Sequence, residues 1–431
     1  MLIAGRVLDS RKRGSMAELQ LPKLLAWVTP PLPPAYHPQK SVSFPLNHAV
    51  FAMNTPDLKA MLAGLIALPS ISCTNARQDR GNRAVVEQLA NWLRPLGFQC
   101  EIMEVAPRKA NLIATLGSGP GGLVLAGHTD TVPYDAGGWR FDPFELTESD
   151  GRWYGLGTAD MKGFFPLAIE AAQPFLTAKL KAPLIILATC DEETSMAGAK
   201  ALVAAGRPQA RYAVIGEPTS LKPIRLHKGV MMERIYIQGR SGHSSDPSLG
   251  NNAMEAMHAV IGELLGYRTE LQARYHNTAF TVPQPTMNLG CIHGGDNPNR
   301  ICPSCELQYD LRPLPGMHMD ELRAAIRERL QPLAPRFGVR IDCEPIFSGV
   351  PAVETPADSL LVQAAERLTG YTAGAVAFGT EAPYFREMGM DALVLGPGHI
   401  DQAHQPDEYV ELANLNPMIT ILRGLIQEFC L

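Results

Sequence analysis

The chain has 431 residues, 46% of them hydrophobic and 19% charged, with a formal net charge of -5. That length sets a prior of two or three domains, and the mildly acidic balance gives no sign of a nucleic-acid partner. No apolar run approaches the roughly 18 residues that cross a bilayer. Eight scattered cysteines suit free thiols in a reducing compartment, so the cytoplasm is the expected location.

Residues 1–50 hold Pro30, Pro31, Pro33, Pro34, Pro38 and Pro45 with little apolar periodicity, which predicts an extended or disordered extension. A translation start at Met53 would leave the folded body intact. Globular patterning begins at Thr55-Pro56-Asp57, a helix start. Helices are expected over about Asp57–Leu68 and Asn82–Leu96, the second closed by Gly97. Strands follow at Gln99–Val105, Asn111–Leu116 and Leu123–Ala126. A helical run opens at Asp160 and continues to about Phe175. Leu184–Ala188 is a buried strand, Gly198–Ala205 a helix, and Ala213–Gly216 another buried strand. Unalternated apolar strands separated by helices imply an α/β fold with a mostly parallel sheet.

The pattern changes after Pro223. A strand at Met231–Gln238 carries interspersed polar residues. A helix follows at about Asn252–Gly266, strands at Thr286–Ile292 and Glu306–Arg312, a helix at Met319–Leu330, and a strand at Val339–Cys343. The order βαββαβ predicts an α+β ferredoxin-like domain. The α/β pattern then returns with a helix at Ser359–Leu368, a strand at Leu393–Gly396 and a last helix at Asn416–Phe429. The expected plan is a discontinuous catalytic domain, 51–225 and 348–431, with an inserted lid or dimerisation domain at 226–347. Cys302 and Cys305 form a lone C-x-x-C with no second pair, and are read as structural.

Four apolar runs stop at metal-ligand types. Leu123–Ala126 stops at His128 and Asp130, and Leu184–Ala188 at Asp191, Glu192 and Glu193. Val214–Gly216 stops at Glu217, and Leu393–Gly396 before His399 and His404. Asp160 adds an acid at a glycine-rich junction. Ends of parallel neighbours share one crevice. Histidine with carboxylates suits zinc, manganese or cobalt, and the number of ligands suits two ions. Two divalent ions, three carboxylates and one hydroxide sum to zero charge, which a partly buried crevice tolerates. Asp130 is placed to fix the His128 tautomer. Glu192 and Glu193 point opposite ways on an extended backbone, so one ligates while the other acts as base.

The stretches Gly127-His128-Thr129-Asp130-Thr131-Val132-Pro133, Gly155 to Gly163, Asp191-Glu192-Glu193, Gly216-Glu217-Pro218 and Ser241-Gly242-His243-Ser244-Ser245 resemble the M20 family of dinuclear zinc amidohydrolases. The resemblance covers about residues 56–431. Asn299-Arg300-Ile301-Cys302, Gly379-Thr380-Glu381-Ala382-Pro383 and Gln402 to Tyr409 are most similar to the family's acetylornithine-deacetylating branch.

The resemblance implies hydrolysis of N2-acetyl-L-ornithine to L-ornithine and acetate. The alternative substrates are N-acetylcitrulline, another N-acyl amino acid or succinyl-diaminopimelate. It implies two Zn(2+), with Co(2+) or Mn(2+) as substitutes. His128 and Glu217 would hold one ion and Glu193 and His404 the other, with Asp160 bridging. Glu192 would be the base and Asp130 would stand behind His128. His243 is similar to a family histidine that reaches the site across a homodimer. Arg300, beside Asn299, is the candidate for the substrate α-carboxylate, and Glu381 for a cationic side chain. His399 is read as peripheral, and Asp191 as a brace for its turn.

Overall fold

The structure is a computed structural model that describes residues 56–431. The proline-rich stretch and Met53 lie outside the described residues. Among the described residues no helix is long and apolar enough to cross a membrane. All eight cysteines are free, with Cys302 and Cys305 buried.

A nine-stranded sheet organises the chain. Its path runs Gln99–Ala106, Lys109–Leu116, Leu184–Thr189, Leu123–His128, Tyr212–Ile215, Asp391–Val394, Ile224–His227, Val353–Glu354. Gly374–Val376 pairs with Ile224–His227 off this path. The middle four strands are parallel, while the edges of the path pair antiparallel. The middle strands show no polar alternation because both faces are covered. Leu123, Leu125, Leu184, Ile186, Val214 and Leu393 face helices Leu58–Ile66, Arg83–Leu93, Phe164–Ala172, Leu360–Thr369 and Leu412–Cys430. Val124, Ala126, Ile185, Leu187, Ala213, Ile215 and Val394 join Leu202 and Phe385 in a second core on the other face. The period-2 geometry of a strand divides each apolar run between the two cores.

The register sets the site. His128 stands opposite Thr189, Ala126 opposite Ile215, and Val394 opposite Ile215. The middle strands therefore end nearly level. From Leu123–His128 the chain goes to one neighbour, Leu184–Thr189, and then crosses to the other, Tyr212–Ile215. Such a switch point opens a crevice at the carboxyl ends, and His128 stands there.

A separate four-stranded sheet runs Thr286–Gly294, Ser304–Arg312, Met231–Gln238, Arg340–Pro345, with every pair antiparallel. Met231, Glu233, Ile235 and Ile237 are buried while Met232, Arg234 and Gln238 are exposed. Helices Ala253–Arg274 and Met319–Leu330 share its core. In chain order this is the ferredoxin-like arrangement.

Several elements depart from the expected ones; the helix expected to open at Asp160 begins at Phe164. The helix predicted to stop at Gly266 runs on to Arg274, because Tyr267 and Leu271 continue its buried stripe and outweigh the modest glycine penalty. The last helix starts at Leu412 with Pro417 inside it, where the sequence places proline in the first turn. A three-stranded sheet of Thr147–Ser149, Arg152–Tyr154 and Tyr409–Glu411 went unanticipated, since three residues are too few to show a period.

Candidate metal centre

His128 is the last residue of its strand and is 1% exposed. Its Nδ1 lies 3.0 Å from the Asp130 carbonyl oxygen, and its Nε2 lies 3.0 Å from Asp160 Oδ1 and 3.8 Å from Glu217 Oε1. The other Asp160 oxygen is 3.4 Å from His404 Nε2. His404 Nε2 is also 3.1 Å from Glu193 Oε1 and 3.0 Å from Oε2. Asp160 thus presents one oxygen to each imidazole. Ligand atoms of His128, Glu192 and Glu217 lie within 4.8 Å of one another, as do those of His128, Asp160 and Glu193.

The charges demand compensation. Burial, reinforced by the neighbouring carboxylates, pushes the Glu192 and Glu217 carboxyls well above the usual range, with His128 opposing. Burial works against a charged His128, yet its hydrogen bond to Asp160 and the acids around it raise it well above an ordinary histidine. Hydrogen bonds from its ring to the Asp160 and Glu193 carboxylates lift His404 to about 10. Asp160 is opposed by burial but lowered by hydrogen bonds to both imidazoles. A mostly buried set of four carboxylates facing two imidazoles is a strong cation trap. Imidazole nitrogen with carboxylate oxygen matches a borderline-hard divalent ion. The donor set fits a pair of such ions, with Asp160 facing both sides.

Support comes from further out. The Asp130 carboxylate accepts the Glu192 and Glu193 backbone N–H groups at 3.3 and 3.1 Å. The Nδ1 of His128 meets the Asp130 carbonyl, while the carboxylate expected in that place lies at 3.8 Å. The Asp191 carboxylate turns away to Lys109 Nζ at 2.7 and 3.0 Å and accepts from Ser72 Oγ at 2.8 Å.

Glu408 had no expected role. It is buried and accepts the N–H groups of Gly157, Ala159 and Asp160 at 2.9, 2.8 and 2.9 Å. Its sequence signal is its place in the Gln402–Tyr409 stretch, four residues past His404. Lys109, at the start of a strand, gives no signal at all.

Glu381 has no exposed surface. Its Oε2 accepts from Thr189 Oγ1 at 2.9 Å, its Oε1 has no hydrogen-bond partner among the described residues, and burial pushes it to about 7. His243, Asn299 and Arg300 lie together elsewhere. His243 forms an isolated bridge with Arg300, and Ser244 N–H donates to the Asn299 carbonyl at 3.1 Å. Ser245 Oγ lies 2.8 Å from His243 Nδ1, and Arg300 pairs with Asp296. Among the described residues no hydrogen bond or ion pair joins this group to the His128 cluster. His399 Nδ1 accepts the Asp401 N–H at 3.1 Å and takes no part in the cluster.

Residues 124–428 match the Peptidase family M20/M25/M40. The chain is 51% identical over 382 residues to an acetylornithine deacetylase of Edwardsiella ictaluri, covering 88% of this chain and 100% of that protein. Among solved structures it is similar to an M20 family metallo-carboxypeptidase from Sulfolobus solfataricus. The TM-score there is 0.69 at 17% identity, covering 86% of this chain and 99% of that one. A dinuclear metal-binding M20 peptidase from Bacillus subtilis matches with a TM-score of 0.60 at 17% identity, covering 86% and 98%.

Proposed function

The chain belongs to the M20/M25/M40 peptidase family, and from that premise we propose that it hydrolyses N2-acetyl-L-ornithine to L-ornithine and acetate, a step of arginine biosynthesis. The 51% identity to an acetylornithine deacetylase along that protein's whole length carries the reading.

His128 and Glu217 would hold one ion and His404 and Glu193 the other, with Asp160 available to both; zinc is the proposed metal, with cobalt or manganese as substitutes. A bound ion pair supplies Lewis-acid polarisation of a carbonyl and acidifies water towards about 7. With Nδ1 donating to the Asp130 carbonyl, His128 presents the Nε2 lone pair to the cluster. Among the described residues Glu192 forms no ion pair, and burial raises its carboxyl well above the usual range, which suits a general base. It takes a proton from water as the oxygen adds to the acetyl carbon. It then delivers that proton to the amine nitrogen as the C–N bond breaks.

The protein is proposed to act in the cytoplasm as a homodimer, with a catalytic domain of 51–225 and 348–431 and an insert of 226–347. His243 reaches the cluster of the second copy and donates to the developing oxyanion. Arg300, beside Asn299, exchanges Asp296 for the substrate α-carboxylate. The Glu381 carboxylate, closed to solvent in this structure, is the proposed acceptor for the substrate's cationic end once substrate binding opens the site.

The test is to incubate purified protein with N-acetylornithine, N-acetylcitrulline and N-succinyl-diaminopimelate and to measure the amines released. Ornithine release as the fastest reaction is expected. Turnover of the succinyl substrate alone would overturn the reading.

A further inference from the structure

Asp191 is the acid that the proposed chemistry leaves over. It adjoins Glu192 and sits two residues from Glu193, and its carboxylate is the same donor type. Nothing in its chemistry keeps it from competing for the same ions. Its surroundings do. Lys109 Nζ lies 2.7 and 3.0 Å from its two oxygens, and Ser72 Oγ donates to it at 2.8 Å. Lys109 also reaches Asp79 at 2.9 Å, and the three charged side chains are 10–14% exposed. Ser72 is 2.7 Å from Thr194 Oγ1. Its N–H donates to the Thr131 carbonyl at 2.9 Å, so the Asp130 segment is tied to the same knot.

The backbone explains the need. Asp191 has φ 58° and Met196 φ 57°, left-handed values that cost a non-glycine residue about 1–3 kcal/mol each. The Asp191 carbonyl accepts the Ser195 and Met196 N–H groups at 3.0 and 2.7 Å, closing a tight turn. That turn sets where Glu192 and Glu193 stand. Asp130 holds it from one side through two N–H groups. Lys109 holds it from the other through a side chain.

We propose that Lys109 is a positioning residue for the deacetylation. It neutralises Asp191, aims it away from the ions and fixes the turn so that Glu192 and Glu193 alone face them. Lys109 touches neither substrate nor metal ligand and acts through Asp191. This rests on the reading above, in which Glu192 moves the proton.

The experiment uses the full-length, metal-loaded protein. Lys109→Met keeps the stem and removes the charge. A displacement of about 1 Å at a reacting group costs on the order of 100-fold, so kcat should fall roughly 10- to 100-fold. KM and the metal content per chain should stay at wild-type values. Lys109→Arg should recover most of the lost kcat. Asp191→Asn, which keeps an acceptor for Ser72, should lower kcat too, and the double variant should lose no more than Lys109→Met alone.

Wild-type kcat in Lys109→Met overturns the proposal. So does a kcat loss matched by equal metal loss, which would make the lysine a mere support for the ions. If Lys109→Met does not fold, Asp191→Asn decides, and an unchanged kcat there overturns it. Wild-type protein inactive on N-acetylornithine would sink the deacetylase reading instead, and the same kinetics would then run on the N-acyl amino acid it does cleave.

Discussion

The two histidines of the cluster live in opposite settings. His128 ends an inner strand, is 1% exposed, and has both nitrogens engaged. The His404 side chain is 53% exposed, on a loop with φ 60°, and among the described residues only the Asp160 and Glu193 carboxylates hold its ring. One half of the centre is built by the sheet. The other is clipped on from a loop, where Glu408 ties the segment just beyond His404 to the backbone of Gly157, Ala159 and Asp160. A rigid half and an adjustable half suit a site that must keep its ions while admitting a substrate.

Chelation is the bluntest way to probe that contrast. Removing the ions should abolish turnover, and zinc, cobalt or manganese should restore it. The ion-free protein should also lose stability as pH rises. Burial and nearby acids raise the carboxyls of Asp130 to about 6, Glu381 to about 7 and Glu408 to about 8. Hydrogen bonds lift His404 to about 10. A folded value above the unfolded one contributes stability that is full below the unfolded value and lost as pH rises through the folded value. The loss should therefore run from about pH 4 to pH 8, with His404 extending it towards 10. Asp160 is shifted the other way and contributes stability that is lost only in acid. Melting curves of chelated and loaded protein across that range should diverge as pH rises. Parallel curves would remove the ion from the account.

Single variants sharpen the comparison. His128→Ala leaves buried Asp160 and Glu217 without their cationic partner and should cost about 3–5 kcal/mol in the chelated protein. His404→Ala should cost no more than about 1 kcal/mol yet still reduce the bound metal. Equal destabilisation by the two would erase the distinction between the halves. Glu408→Ala strands three buried N–H groups and should cost about 3 kcal/mol, read by denaturant midpoint; no shift would show that water replaces the carboxylate. Arg300→Lys leaves stability alone and probes recognition, because it keeps the charge but loses the bidentate fork. KM should rise roughly tenfold, about 1.4 kcal/mol, with kcat held.

What could be read from the sequence follows the same division. The sheet-built half was legible because LIILAT, LVLAGH and YAVI are unbroken apolar runs ending at donor residues, and parallel register brings such ends level. The inserted sheet was legible from its period of two and the order of its elements. The support was not. Lys109 meets Asp191 across 82 residues and Glu408 meets Asp160 across 248, and no local pattern marks either contact. Short strands such as Tyr409–Glu411 carry no period, although that strand is what sets Glu408 under the Asp160 loop. Asp130 shows the finer limit. Its place beside His128 was legible, but not that its carbonyl would meet the ring while its carboxylate took the two N–H groups of the acidic turn.

Cleavage of the acetyl amide at this cluster turns on Glu192 moving the proton. Steady-state ornithine release by Glu192→Ala, with metal content measured on the same sample, tests it most directly. Wild-type metal content is expected, with kcat lower by roughly 10²- to 10⁴-fold. Full metal with near wild-type kcat would contradict it.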